Sequence, residues 1–223
     1  MTNPPDSDGL QESYDQLPYE TRARRKTHPD TLATLATIFG LTPPLVETAR
    51  VLELGCGTGE NLLAIACALP ESSCVGVDFS AHQIAKAEDL AAAASIGNAR
   101  FICGDFREIA RDQQYDYVVA HGLLSWIPPE NHGDLIALCG ACLSPGGLLY
   151  LSYNAFPGWY HRQMVRDYLL QEIADVPSIV AKVTVAREAL ALLAETVGKV
   201  DWAYGRIVVD ENDNVGKLGD SYV

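Results

Sequence analysis

Basic residues are scarce in this chain of 223 residues: 16 Lys and Arg stand against 29 Asp and Glu, a formal net charge of -13. Affinity for a phosphate backbone comes largely from Lys and Arg, so the composition argues against a general nucleic-acid-binding surface. One local exception is the segment at residues 22–26, with the sequence Arg-Ala-Arg-Arg-Lys. We interpret it as the solvated face of a helix or loop, the alternative being a contact with a phosphate or an acidic partner.

Long apolar runs are also missing. The sequence has no stretch of about 18 uncharged apolar residues, the length that a membrane span requires. Residues 1–6 (MTNPPD) have neither a basic nor an apolar signal region, so we expect a cytoplasmic protein that does not interact with membranes. With 48% hydrophobic and 20% charged residues, the chain is expected to form one soluble domain with an ample core.

The six cysteines lack the pattern of a disulfide framework. Most of them lie in apolar segments, where a free cysteine behaves as a small hydrophobic residue. Cys139 and Cys142 have C-x-x-C spacing, but the chain has no second pair, and leucines at helical spacing surround them. Helix packing is therefore preferred over a zinc or redox site, and no metal is expected.

The most informative segment is an apolar strand followed by three alternating glycines. These glycines are Gly55, Gly57 and Gly59. At a strand-to-helix turn, glycine permits positive φ and lets the backbone approach a ligand closely, which a Cβ would prevent. The dinucleotide fingerprint G-x-G-x-x-G fails here, because its third glycine would fall on Glu60 or on Leu62. Glu60 would also repel a pyrophosphate at the start of the helix, so a cofactor without phosphate fits better.

Glu53 closes the strand before these glycines, where its carboxylate could accept a hydrogen bond relayed from an ammonium group. These are the features of a site for S-adenosylmethionine. The segment resembles motif I of class I methyltransferases, E-x-G-x-G-x-G, which is matched at Glu53 and the three glycines. Taken alone, the glycines are equally compatible with a tight turn that binds nothing.

A second acidic residue lies at the distance that this resemblance requires. Asp78 ends the apolar strand at residues 74–77, about 20 residues after the glycines, where an acid typically takes the ribose hydroxyls. The alternative interpretation is that Asp78 is an N-cap, since acids are favoured there in any α/β protein.

Two later strands complete the match. After the strand Ala99–Cys103 come Gly104, Asp105 and Phe106, where the family places an acid near the adenine amine and an apolar side chain against the ring. Asp105, too, is compatible with a helix N-cap. The strand Tyr115–His121 has its end at the methyl-transfer site in this family. The cofactor-binding residues implied by the resemblance are Tyr14, Tyr19, Glu53, Gly55, Cys56, Gly57, Gly59, Asn61, Asp78, Phe79, Gly104, Asp105, Phe106 and His121.

Strands and helices alternate regularly from residue 50 onward. Hydrophobic periodicity predicts a helix over residues 61–69, a second one capped by Ser80, a helical turn over 107–111, a helix over 134–143, a turn over 144–147 and a fifth strand over 148–152. Five such repeats imply a parallel sheet that binds ligands at the carboxyl ends of its strands. The expected fold is α/β: a Rossmann-like, doubly wound, mainly parallel sheet of the class I methyltransferase type, with a helical C-terminal extension.

Several segments resemble one bacterial branch of the family. They are residues 14–19 (YDQLPY), 27–30 (THPD), 120–122 (AHG), 125–128 (SWIP) and 152–159 (SYNAFPGW). The branch usually carries a methyltransferase regulatory domain, and it includes the outer-membrane-protein lysine methyltransferases. The resemblance covers about residues 12–170.

The C-terminal part departs from the family pattern. A class I methyltransferase sheet normally has seven strands, but after Ser152 the sequence predicts helices over residues 161–174 and 178–197 and one further strand over 206–209. We therefore expect a fragment of a longer protein. Its expected parts are a disordered tail at 1–12, a methyltransferase core domain at 13–160 and a helical extension at 161–223.

Methyl transfer requires a neutral nucleophile held in line with the methyl donor, and a route for its proton. We assign catalytic roles to His121, as a weak base with an unperturbed pKa of about 6.5, and to Tyr153 and Asn154, as substrate-positioning groups. The alternatives are a backbone contact from His121 to the cofactor, and a simple turn at Tyr153 and Asn154. Tyr14 and Tyr19 either form a flap over the cofactor or pack as ordinary aromatic side chains.

The predicted function is methyl transfer from S-adenosyl-L-methionine to an acceptor, with a protein lysine as the preferred acceptor. Small-molecule acceptors and a non-catalytic, cofactor-binding regulatory module remain alternatives. The tetrad [DN]-P-P-[YFW] of nucleic-acid amine methylases is absent, because residues 120–123 have the sequence AHGL after the fourth strand. The acidic balance of the chain suits a basic substrate, such as a lysine-bearing protein.

Overall fold

The computed structural model describes residues 22–200 and 202–218. These residues belong to two compact units, which meet in sequence between Tyr153 and Asn154. The described part of the first unit is residues 22–153, and that of the second is residues 154–218.

The first unit is built on five parallel strands. They are β1 (Arg50–Leu54), β2 (Ser73–Asp78), β3 (Ala99–Cys103), β4 (Tyr115–His121) and β5 (Leu143–Ser152). Their order in the sheet is β3-β2-β1-β4-β5, so the winding direction reverses between β1 and β4. In a doubly wound sheet, ligands bind in the crevice beyond the carboxyl ends of the strands at such a reversal. The predicted fold is confirmed.

Within residues 22–153, four α-helices accompany this sheet: α1 (Pro29–Ile38), α2 (Glu60–Ala68), α3 (Ala81–Ala93) and α4 (His132–Cys142). The cap predicted for α3 is present, since the Ser80 hydroxyl accepts a hydrogen bond from the Gln83 N–H at 3.3 Å. The turn predicted over residues 107–111 lies slightly earlier, as a 3₁₀ turn at Phe106–Glu108. Asp105 starts that turn by accepting from the Arg107 N–H.

The alternation of side chains along β1 divides the core into two layers. Leu52 and Leu54 face the layer that contains α4. Val51 faces the opposite layer, which contains α2. Cys139 and Cys142 are fully buried on α4, which confirms the packing interpretation of their spacing.

The edge strand β5 is irregular near its start. The turn predicted at residues 144–147 lies inside this strand, because its pairing with β4 jumps from Leu143 to Leu148 while β4 advances by two residues. The Ser144 hydroxyl donates to Asp116 Oδ1 at 2.7 Å, which ties the irregular segment to β4.

The described residues of the second unit form three helices: α5 (Tyr160–Glu172), α6 (Ile179–Val197) and α7 (Ala203–Leu218). The strand predicted at residues 206–209 is wrong, because these residues lie within α7. Its β-branched residues favour a strand, but Val208 and Val215, two helical turns apart, are both buried in the core of this unit. Packing on a helical face therefore overrides local strand propensity.

None of the described helices is both long enough and apolar enough to cross a bilayer.

Candidate functional site

The loop between β1 and α2 turns sharply at its three glycines. The φ angles are +71° at Gly55, +54° at Gly57 and +81° at Gly59, all in the left-handed region that favours glycine. The loop is tied to the end of β2, because the N–H groups of Gly55 and Cys56 donate to the Val77 carbonyl at 2.8 and 3.1 Å. The predicted close turn therefore lies at the carboxyl ends of β1 and β2.

The last of these glycines also has a packing role. A Cβ at Gly59 would lie 2.9 Å from the Ala87 Cβ and from the Phe101 ring. Gly59 thus allows α3 and β3 to pack against the loop, and this function does not require a ligand.

The Asp78 carboxylate is hydrogen-bonded to the backbone of the glycine loop. Its Oδ2 accepts from the Gly57 N–H at 2.9 Å, and its Oδ1 accepts from the Ser80 N–H at 3.0 Å. Burial raises the pKa of this carboxyl, and the backbone hydrogen bonds oppose that shift. The N-cap of α3 is Ser80 rather than Asp78. Each carboxylate oxygen retains accepting capacity for a ligand hydroxyl.

Glu53 is the most unusual polar group at this edge. It is 4% exposed, and its Oε1 accepts from Asn61 Nδ2 at 2.8 Å. Its Oε2 is buried without a hydrogen-bond partner among the described residues. Burial is the main cause that raises the pKa of this carboxyl to about 8. An unpartnered carboxyl oxygen beside a glycine loop fits a ligand that brings a cationic donor, so the residues suit the ammonium group of S-adenosylmethionine.

Asn61 links Glu53 to the segment before α1. Its Oδ1 accepts from the Arg24 N–H at 2.8 Å and from the Thr27 hydroxyl at 3.0 Å. The side chain thus bridges three parts of the chain. Asn61 was predicted as a cofactor contact, and in this structure its amide positions Glu53 and anchors Arg24.

Three other predicted residues follow β2 and β3. Phe79 is half-buried, and its carbonyl accepts from the Cys103 thiol at 3.6 Å. A Cβ at Gly104 would meet nothing within 4 Å, so packing does not require glycine there. Phe106 is partly buried against the α4 layer of the core.

Asp105 is already engaged by a neighbouring cation. Its two carboxylate oxygens each lie 3.0 Å from Arg107 Nε, and a hydrogen bond from the Arg107 side chain is the main cause that lowers its pKa. As the residue that caps Phe106–Glu108, it fulfils the alternative N-cap interpretation. Its side chain is one-third exposed, so it also presents acceptor positions to solvent.

The Cys56 thiol points away from the loop surface. Cys56 is 1% exposed, and its Sγ would lie 2.9 Å from a Cβ at Gly76, inside the α2 layer. Burial raises the pKa of this thiol well above its usual range. Only the backbone of Cys56 is placed to contact a ligand.

His121, at the end of β4, is paired with a residue that the sequence analysis did not identify. Its Nδ1 lies 2.7 Å from the Ser152 hydroxyl, which also accepts from the Gly122 N–H at 2.9 Å. Burial first, and then the positive charges of Arg24 and Lys26, lower the pKa of His121. Both effects favour the neutral form of the imidazole. His121 and Ser152 are register partners, so aligning the two strand ends was the signal that could have revealed the pair.

The remaining predicted site residues either follow β5 directly or lie outside the described part of the chain. Tyr153 is 58% exposed directly after β5, and Asn154 is the first residue of the second unit. Tyr14 and Tyr19 lie outside the described residues. Trp126, also 58% exposed, follows the turn after β4, and its indole Nε1 would lie 3.9 Å from a Cβ at Gly122.

Comparison with known proteins agrees with this geometry. A family model described as a methyltransferase domain matches residues 51–147. The chain is 32% identical to the uncharacterized protein RP789 of Rickettsia prowazekii, over 94% of this chain and 38% of that protein. It is 30% identical to the uncharacterized protein RP028 of the same organism, over 95% of this chain and 85% of that protein.

A solved structure is similar over nearly the whole chain. It is that of PKMT2 from Rickettsia typhi in complex with AdoHcy, with 32% identity, a TM-score of 0.78 and coverage of 92% of this chain. The present chain spans 40% of that solved chain, and 38% of RP789.

Proposed function

Because this chain belongs to the class I S-adenosylmethionine-dependent methyltransferases, we propose that it transfers a methyl group from this cofactor to the side-chain amine of a protein lysine. The branch segments and the similarity to PKMT2 from Rickettsia typhi support this acceptor. Burial of His121, which favours its neutral form, supports it as well. The observation that carries the proposal is the arrangement at the reversal of the sheet. Buried Glu53 is the next-to-last residue of β1, and His121 is the last residue of the adjacent strand β4.

The cofactor-binding roles follow from the contacts of each residue. The glycine loop offers its backbone, Asp78 offers carboxylate acceptors to the ribose hydroxyls, and Glu53 offers its unpartnered oxygen to the ammonium group. Asp105 would accept from the adenine amine, with Phe79 and Phe106 against the ring. When bound, S-adenosylmethionine supplies a methyl group on a sulfonium, which a neutral amine can attack.

His121 accepts the proton that the acceptor amine must lose. A lysine ammonium has a pKa near 10.4, so it must lose a proton before it becomes a nucleophile. With the imidazole proton on Nδ1, the Ser152 oxygen accepts from both His121 and Gly122, and Nε2 remains free to take that proton. Tyr153 and Asn154 position the acceptor, and most of the rate comes from this orientation.

The test is transfer of label from S-adenosyl[methyl-³H]methionine into cell extract, followed by acid hydrolysis and amino-acid analysis. We expect label in methyllysine, loss of label when protein amines are blocked beforehand, and loss of label in Asp78→Asn. Asp89→Asn, an exposed acid on α3, is the matched control and should retain full activity.

Label found only in the small-molecule fraction would overturn the lysine acceptor in favour of a small amine or acid. Cofactor binding without label in any fraction would indicate a non-catalytic module instead.

A further inference from the structure

Arg24 is held next to Glu53 by a short chain of hydrogen bonds. The Arg24 N–H donates to Asn61 Oδ1 at 2.8 Å, and Asn61 Nδ2 donates to Glu53 Oε1 at 2.8 Å. Because one buried side chain makes both contacts, the start of the Arg24 side chain has a fixed position relative to the Glu53 carboxyl.

The charge of Arg24 reaches both functional groups at this edge. It favours the ionised form of Glu53, and it disfavours protonation of His121. Glu60 and Asp78 act on Glu53 with the opposite sign. The Arg24 charge is therefore within electrostatic range of both Glu53 and His121, while the Arg24 backbone is fixed by its hydrogen bond to Asn61.

Arg24 is half-buried, and no ion pair joins it to an acid among the described residues. A cation in this setting is suited to a carboxylate brought by a ligand, because charge-assisted bonds to guanidinium are among the strongest available. The unpartnered Glu53 Oε2 nearby is suited to a cationic donor. The two residues together match a ligand end that carries both an ammonium and a carboxylate.

We propose that Arg24 binds the carboxylate of the methionine portion of S-adenosylmethionine, while Glu53 takes its ammonium group. This assignment rests on the proposed function and adds the residue that recognises the acid end of the cofactor. It also gives one member of the basic segment at residues 22–26 a role other than that of a solvated surface.

Calorimetric titration with two ligands tests the assignment without any enzymatic turnover. One ligand is S-adenosylhomocysteine, and the other is its decarboxylated analogue, which keeps the amine and lacks the carboxylate. Wild type should bind S-adenosylhomocysteine about tenfold to hundredfold more tightly, as expected for one charged hydrogen bond. Arg24→Gln should abolish that preference by weakening only S-adenosylhomocysteine. Arg25→Gln, at an exposed arginine beside it, should preserve the preference.

Each other outcome counts against the assignment. If Arg24→Gln weakens both ligands equally, Arg24 is structural, and if it weakens neither, another group binds the carboxylate. In both cases the cofactor site stands and the role of Arg24 is overturned. If wild type binds neither ligand, the cofactor site and the Arg24 assignment fail together. Because the preference is a ratio measured on one protein sample, partial unfolding of a variant does not imitate its loss.

Discussion

The Ser152 hydroxyl lies 2.7 Å from Nδ1 of His121, and the two residues face each other at the ends of β4 and β5. The contact joins residues 31 positions apart in the chain. It gives the proposed base a fixed ring orientation, since the Gly122 N–H holds the same hydroxyl.

Ser152→Ala is expected to lower kcat by about tenfold to hundredfold and to leave cofactor affinity unchanged, because the ring of His121 loses its orientation. An acceptor opposite Nδ1–H favours the imidazolium, so its removal should also lower the pKa of His121. The pH dependence of kcat/KM measures this. In wild type, the acid-side decline in activity should lie below the ordinary imidazole pKa of about 6.5, and in the variant it should lie at still lower pH.

The matched control is Ser144→Ala, near the other end of β5, where the hydroxyl donates to Asp116. This substitution should lower the free energy of unfolding, and it should leave the acid side of the pH profile of kcat/KM unchanged. An unchanged profile in Ser152→Ala would show that the pair is only structural.

Glu53→Gln should stabilise the free protein at pH 8 by about 1–3 kcal/mol. The pKa of Glu53 is raised from its ordinary 4.5 to about 8, so the folded protein retains a proton that the unfolded chain has lost. The free energy of unfolding of wild type therefore falls as pH rises from about 4.5 to 8. Urea denaturation at pH 5 and pH 8 should show this slope in wild type and a flatter one in the variant.

The same Glu53 variant should bind S-adenosylhomocysteine more weakly, since an amide cannot neutralise an ammonium group. Gain of stability with loss of binding is the signature of a residue kept for function. Glu88→Gln, an exposed position on α3, should change neither quantity. A less stable Glu53→Gln protein at pH 8 would contradict the raised pKa.

Gly59→Ala should destabilise the fold by about 2–4 kcal/mol. Its φ of +81° is strained for alanine, and the new Cβ would lie 2.9 Å from Ala87 and Phe101. Thermal or urea unfolding measures the loss. Gly97→Ala should stay within about 0.5 kcal/mol of wild type, because nothing lies within 4 Å of that position. Equal stabilities of the two variants would contradict the packing role of Gly59.

Val208→Ala tests the helical second unit. Val208 is fully buried on α7, so truncation should cost about 1.5–3 kcal/mol even though alanine is the better helix former. Val180→Ala, at a side chain 70% exposed on α6, should be nearly neutral. If Val208→Ala changed the free energy of unfolding as little as Val180→Ala, the core assigned to the second unit would be wrong.

Local sequence pattern was sufficient to predict the elements that bear the candidate cofactor site. β3 and β4 have the predicted limits, and Ser80 caps α3 as expected, because periodicity and capping depend on neighbours in sequence. The glycine loop and Asp78 were predictable for the same reason. The other features of the site depend on tertiary contacts, which the sequence pattern did not predict. The bridge made by Asn61 depends on Arg24, 37 positions away, and no local pattern encodes it.

The wrong strand at residues 206–209 has a different cause. Ile207, Val208 and Val209 are β-branched, so local propensity favours a strand. The burial of Val208 with Val215 in one helical core outweighed that preference.

Calorimetric titration with S-adenosylhomocysteine, with NAD as the competing ligand and Asp78→Ala as the variant, tests whether the glycine loop and Asp78 bind this cofactor. We expect one micromolar site in wild type, loss of binding in Asp78→Ala, retention in Asp89→Ala, and no binding of NAD. Binding of NAD in preference to S-adenosylhomocysteine, or no binding of S-adenosylhomocysteine by the folded wild-type chain, would contradict this expectation.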